Sequence, residues 1–187
     1  MTHATQLRPH VQLELTMSAH RLPTVRCEIS SFVSEVAKRP PELRWIECIS
    51  VNETAAEKLV SLTRRTAGHL EGTRSDIVYD RWLVRHIYDL HHAIGHIDPD
   101  VVTEVARTVA LDDAEQFVAW YPDYQQDPSA WTLRAIDWLA SSHESRVNYR
   151  RFLDEMVFGA PVDYDEALAS VADLARAMWK PEPSVAS

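Results

Sequence analysis

An α+β fold dominated by helix is expected, and three observations carry that expectation. Glycine is scarce, 4 residues in 187, whereas an all-β fold uses many tight turns and most of those turns use glycine. Only two stretches have strand character, one alternating apolar with polar residues and one rich in β-branched residues. From Asn52 onward, apolar residues recur at helical spacing. The expected division is a strand-bearing segment over residues 1–52 and a helical domain over residues 53–187.

The first strand is Val11 to Met17, with Val11, Leu13, Leu15 and Met17 on one face and Glu14 on the other. Residues 18–41 are mixed: Pro23 interrupts them, Ile29 to Lys38 fits a short helix, and Pro40-Pro41 ends it. Trp45 to Val51 is the second strand. Two strands do not make a stable sheet by themselves. Either a further strand lies within residues 20–35 or something outside the chain completes the sheet.

Thr54-Ala-Ala-Glu57 reads as a capping box, opening a helix that runs to about Gly68, with a loop over residues 69–76. The next helix has the clearest pattern: Leu83, Ile87, Leu90, Ile94 and Ile97 make one apolar stripe. Asp98-Pro99 stops it and opens one or two helices over residues 99–120. Residues 121–129 read as a polar linker. Helices are expected at about 129–140, 143–158 and 163–179, the last two divided by Gly159-Ala160-Pro161.

Hydrophobic residues make up 45% and charged residues 25%, as in ordinary globular domains. The formal charge is −9, so nucleic acid cannot be held by a broad basic surface and would need a local patch. Arg64-Arg65, Arg81 with Arg85, and Arg146 with Arg150 and Arg151 are the candidates; solvated helix surface is the plain alternative. Cys27 and Cys48 fit neither a zinc motif nor a disulfide framework. No apolar run reaches the roughly 18 residues that cross a membrane. A cytoplasmic protein with no membrane association is expected.

Few residues stand out for chemistry. Glu14 is a mid-strand carboxylate opposite the apolar face, where it either meets water or lines a site for a hard cation. Lys58 lies near the expected helix start, with Leu62 and Arg65 on its face. A cation gains nothing from the dipole there, so the lysine either meets an anion or pairs with Glu53 or Glu57. Arg85, Asp89, His92 and His96 form a polar stripe opposite the apolar one. Arg85 with Asp89 reads as an exposed ion pair, and Asp89, His92 and His96 could instead hold one divalent metal. Phosphate-binding glycine loops, nucleophile elbows and HExxH are absent.

Taken together and in order, several segments resemble the AbiEii/AbiGii nucleotidyltransferase toxin family. They are Val11-Gln-Leu-Glu14-Leu15, Glu53-Thr-Ala-Ala-Glu57-Lys58-Leu59, Arg64-Arg65 and Arg85-His-Ile-Tyr88-Asp89-Leu90. Asn148-Tyr149, Met156-Val-Phe158-Gly159 and Pro161-Val-Asp-Tyr164-Asp-Glu-Ala-Leu168 complete the set. The resemblance implies part of a nucleotidyltransferase sheet joined to a helical domain. It further implies Mg²⁺-dependent transfer of a nucleotide from a nucleoside triphosphate to an acceptor, tRNA in related toxins, and an antitoxin as partner. By motif, Glu14 matches the later metal-site acid, Lys58 the lysine that meets the nucleotide phosphates, and Asp89 the aspartate of the Tyr-Asp-Leu motif. Arg65, Arg85 and Tyr88 are the accompanying nucleotide-binding residues.

The sequence departs from the family at its start. The family opens with a Gly-Ser or Gly-Gly-Thr turn and an Asp-x-Asp strand, and nothing before Val11 supplies them. Asp98-Pro-Asp100 and Asp163-Tyr-Asp165 have the letters but read as helix starts. The chain is therefore expected to correspond to the C-terminal two-thirds of the family, weakly active or inactive by itself, and to self-associate or take a partner segment. The alternatives are a non-catalytic binding or assembly module on the same fold, antitoxin-binding or regulatory, and a helical histidine-rich metal-binding protein.

Overall fold

A computed structural model describes residues 19–72 and 79–180. Among these it has two strands and eight α-helices, in the order β1 (Val25–Ile29), α1 (Phe32–Val36), β2 (Leu43–Cys48), α2 (Val51–Glu71), α3 (Val84–Ala93), α4 (Pro99–Gln116), α5 (Pro122–Gln126), α6 (Pro128–Ser141), α7 (His143–Met156) and α8 (Tyr164–Met178). This is the helix-dominated α+β fold expected. The strand expected over Val11 to Met17, with Glu14, lies outside the described residues.

β1 and β2 form an antiparallel pair in which Val25 faces Cys48 and Cys27 faces Ile46, with an irregularity between Cys27 and Ile29. β1 is the further strand within residues 20–35. Its residues, Val-Arg-Cys-Glu-Ile, are mostly exposed, so burial imposes little of the alternation by which a strand is read. β2 starts two residues earlier than expected and ends at Cys48, because Ser50 and Val51 belong to the next helix.

The start of α2 corrects the capping assignment. Ser50, not Thr54, is the cap, and its hydroxyl accepts the Glu53 amide at 3.1 Å. The box is thus Ser50-x-x-Glu53, but the glutamate does not reach back to the cap. It is 1% exposed and accepts the backbone amides of Arg21 at 2.7 Å and Leu22 at 3.0 Å, tying the chain before β1 to the helical body. At the other end α2 runs on to Glu71, and Gly72 closes it at φ 62°, the left-handed conformation glycine adopts without cost.

α2 is the central element and packs against α3, α4 and α6; α8 packs against α3, α4 and α6 from the other side. Leu59, Val60 and Leu62 of α2 meet Leu83, Ile87 and Leu90, Val102 and Ala106, Ile136 and Leu139, and Val171, Leu174 and Met178 in one continuous core. Each larger aliphatic side chain buried there contributes about 1.5–3 kcal/mol. Gly68 allows a close approach: a Cβ on it would stand 2.1 Å from the Tyr121 ring.

The apolar stripe of α3 is buried at Leu83, Ile87 and Leu90, but Ile94 is exposed. The helix tightens into a 3₁₀ turn at Ile94–His96, which turns Ile94 off the stripe, whereas Ile97 still packs against the core. Residues 121–129 are not a plain linker: they contain α5 and the start of α6, with proline in the first turn of both. α4 is one helix that ends at Gln116. Asp98 caps it through the Asp100 and Val101 amides, and Asp163 caps α8 through the Asp165 amide. Both Asp-x-Asp triplets are thus helix starts, as expected.

Candidate functional site

The candidate site is built on facing sides of α2 and α3. Leu59 and Leu62 face the core, as do Ile87 and Leu90. Helical periodicity then brings Lys58 and Arg65 to one edge of α2, and Arg85, His86 and Asp89 to the adjoining edge of α3. Lys58 Nζ donates to Asp89 Oδ2 at 2.7 Å, with side chains 31% and 41% exposed. The lysine thus pairs across helices and not with Glu53 or Glu57. Because α2 begins at Val51, Lys58 stands two turns inside the helix, and the argument from a dipole at the helix start does not apply to it.

Arg65 pairs with Asp80, whose other oxygen accepts the Trp82 amide at 2.9 Å and caps the turn leading into α3. Arg85 is exposed; its Nε donates to the Trp82 carbonyl at 3.2 Å and its guanidinium lies 5.6 Å from the Trp82 ring centroid. The two residues expected to form an exposed ion pair, Arg85 and Asp89, therefore have other partners. Tyr88 points away from this edge toward α7, its ring 5.5 Å from that of Phe152 and 4.2 Å from that of His92.

His86 was not singled out by sequence, although three-residue spacing from Asp89 puts it on the same edge. Its Nδ1 is buried with no hydrogen-bond partner. Burial pushes the imidazole down to about 4, and the Lys58 charge pushes the same way. It is therefore neutral at neutral pH, in a setting otherwise made of Lys58, Arg65, Arg85 and Asp89.

The alternative metal site is not formed by the described residues. His92 lies against Tyr88, Asp89 is engaged by Lys58, and the 3₁₀ turn carries His96 out of helical register with His92. Among the described residues no three His, Cys, Asp or Glu side chains gather as a metal would require. Glu14 lies outside them. Lys58, Arg65, Arg85 and Asp89 thus share one edge, Tyr88 turns from it, and His92 and His96 do not join it.

The arginine patches resolve into structural pairs and free surface. Arg64 is structural: it is 12% exposed, donates to Asp113 at 2.8 Å and lies 4.3 Å from the Phe117 ring centroid. Arg146 pairs with Asp165 and Arg151 with Glu155. Arg81 and Arg85 remain exposed beside Trp82.

Residues 1–170 match the family described as nucleotidyl transferase AbiEii toxin, type IV toxin–antitoxin system. The match covers most of the chain, which belongs to that family of toxins. No curated protein and no solved structure matches it. Among the described residues no helix is long and apolar enough to cross a membrane.

Proposed function

We propose that this chain is the nucleotidyltransferase-type toxin component of a toxin–antitoxin pair, built for transfer of a nucleotide from a nucleoside triphosphate to an acceptor such as tRNA, and weakly active or inactive by itself. The edge shared by α2 and α3 is its triphosphate-binding wall. The observation that carries this reading is the 2.7 Å contact between Lys58 and Asp89, made where Arg65 and Arg85 also stand. A lone surface ion pair needs no such surroundings.

An ammonium has three N–H donors. Asp89 takes one and holds Lys58 in place, which leaves two for phosphate oxygens. Arg65, beyond its bond to Asp80, and Arg85, beyond its bond to the Trp82 carbonyl, keep further N–H groups for phosphate oxygens, whereas Tyr88, turned toward α7, takes no part. Mg²⁺, if bound, would offset the charge of the phosphates. The described residues do not fit a metal centre, because no three candidate ligands gather among them. Glu14, the metal-site acid by resemblance, lies outside them. The work assigned to Lys58, Arg65 and Arg85 is therefore binding and charge balance on the triphosphate, and that of Asp89 is to position Lys58.

Calorimetric titration of the chain with ATP, GTP, CTP and UTP in magnesium buffer tests this. At least one should bind, and Lys58→Ala should weaken it by about tenfold or more, the worth of one charge-assisted contact. Binding of none of them, or binding indifferent to both Lys58→Ala and Asp89→Ala, overturns the reading. Label carried from an α-labelled triphosphate into tRNA, and lost in Lys58→Ala, extends it to transfer.

A second reading, a non-catalytic binding or assembly module, is favoured by one observation. The hairpin and α1 expose Phe32 at 80%, Val36 at 69% and Trp45 at 61%. That reading requires association through this surface and no triphosphate binding.

A further inference from the structure

We infer that the pocket between α7 and the segment leading into α8 is a second binding site, shaped for a nucleotide, with phosphate at Arg150 and base against the tyrosine and aliphatic walls. It does not rest on the Lys58–Asp89 reading. The pocket encloses about 320 Å³, within the range of small-ligand sites. It is the place where two C-terminal family segments with no assigned role come together. Tyr149 comes from one, and Pro161 to Tyr164 from the other.

Three features select the ligand. The first is charge. Arg146 is already committed, to Asp165 at 2.7 Å and to the Ala140 carbonyl at 2.7 Å. Arg150, one turn further along α7, lines the same pocket, is exposed, and has no acidic partner among the described residues. A free guanidinium fork takes phosphate in a bidentate manner.

The second is the wall. Tyr149 and Tyr164 meet edge to face at 5.3 Å, and Leu153 and Val162 add aliphatic surface. Such a lining accepts a flat, weakly polar body better than a sugar or a peptide backbone. The third is the hydrogen-bonding rim. Asp163 Oδ1 caps α8 by accepting the Asp165 amide at 2.8 Å, which leaves Oδ2 to accept a ring or exocyclic N–H. Tyr149, 1% exposed, keeps its hydroxyl buried without a partner, a costly arrangement for a polar atom in a pocket wall. Anion, flat body and N–H donor in one molecule describe a nucleotide, either free or at the end of an RNA strand. Tyr149 is linked to Tyr88 of α3 through the Phe152 ring.

The test titrates the full chain with AMP, using ribose 5-phosphate and adenosine as comparators and circular dichroism to verify folding. AMP should bind at least about tenfold more tightly than either comparator, since each lacks one anchor. Arg150→Glu and Val162→Trp, the latter filling the pocket, should each weaken AMP by about tenfold or more. Lys58→Ala should leave it unchanged. Absence of AMP binding overturns the site, as does binding equal to that of ribose 5-phosphate. Binding lost in Lys58→Ala but kept in Arg150→Glu also overturns it, and would place AMP on the other wall. A short 5′-phosphorylated RNA that competes more tightly than AMP, and needs Arg150, identifies the strand end as the source; a weaker competitor identifies the free nucleotide.

Discussion

The ammonium of Lys58 and the carboxylate of Asp89, 31 residues apart in sequence, meet at 2.7 Å and join the middle of α2 to the middle of α3. Both side chains remain partly open to solvent, at 31% and 41%. A pair so placed is screened and contributes on the order of 0–1 kcal/mol to stability. Lys58→Ala, Asp89→Ala and the double variant should therefore unfold in urea within about 1 kcal/mol of the parent, with a coupling energy of the same order. A much larger loss would make the pair a structural brace and remove the reason for assigning it to phosphate.

Glu53 is expected to behave in the opposite way. It is buried, and its two oxygens accept the amides of Arg21 and Leu22. Glu53→Ala leaves two backbone donors unsatisfied and should cost about 2–4 kcal/mol in chemical denaturation. It should also raise amide exchange at residues 21 and 22 before the rest of the core opens. Exchange unchanged at those amides would show that the segment before β1 is held by other contacts.

The neutral His86 gives a pH dependence with a definite sign. Burial holds its folded-state value at about 4, against 6.5 for the free side chain. As pH falls from about 6.5 toward 4, the unfolded chain takes up a proton that the folded chain refuses. The histidine's contribution is thus present at neutral pH and lost over that window, by up to about 3 kcal/mol. Denaturation at pH 7.5 and pH 5 should show the drop, and His86→Phe should flatten it. A variant with the parent's full pH dependence would assign that dependence to other groups.

The exposed apolar surface of the hairpin and α1 predicts concentration-dependent association, since open strand edges and apolar patches recruit partners. Light scattering should report species larger than one chain at micromolar concentrations, and the pair Phe32→Ser with Trp45→Thr should shift the population toward the monomer. A parent chain that stays monomeric at high micromolar concentration counts against both self-association and the assembly reading.

The sequence by itself determined the helix-dominated fold, the order of most helices and both Asp-x-Asp caps, because periodicity and capping are local properties that survive without tertiary context. It also singled out Lys58 and Asp89, through the family resemblance. It misplaced the start of α2 because Ser50-x-x-Glu53 and Thr54-x-x-Glu57 satisfy the same capping rule, and only the burial of Glu53 against Arg21 and Leu22 separates them. It left β1 undecided because an exposed strand has no alternation imposed on it. Only tertiary structure decided who pairs with whom. Lys58 chose Asp89 over the nearer Glu53 and Glu57, Arg64 sank against Asp113 and Phe117, and His86 was half-buried among charges. Each outcome depends on how α2 sits against α3 and α4, a geometry fixed by side-chain packing across the whole core and not by any one segment.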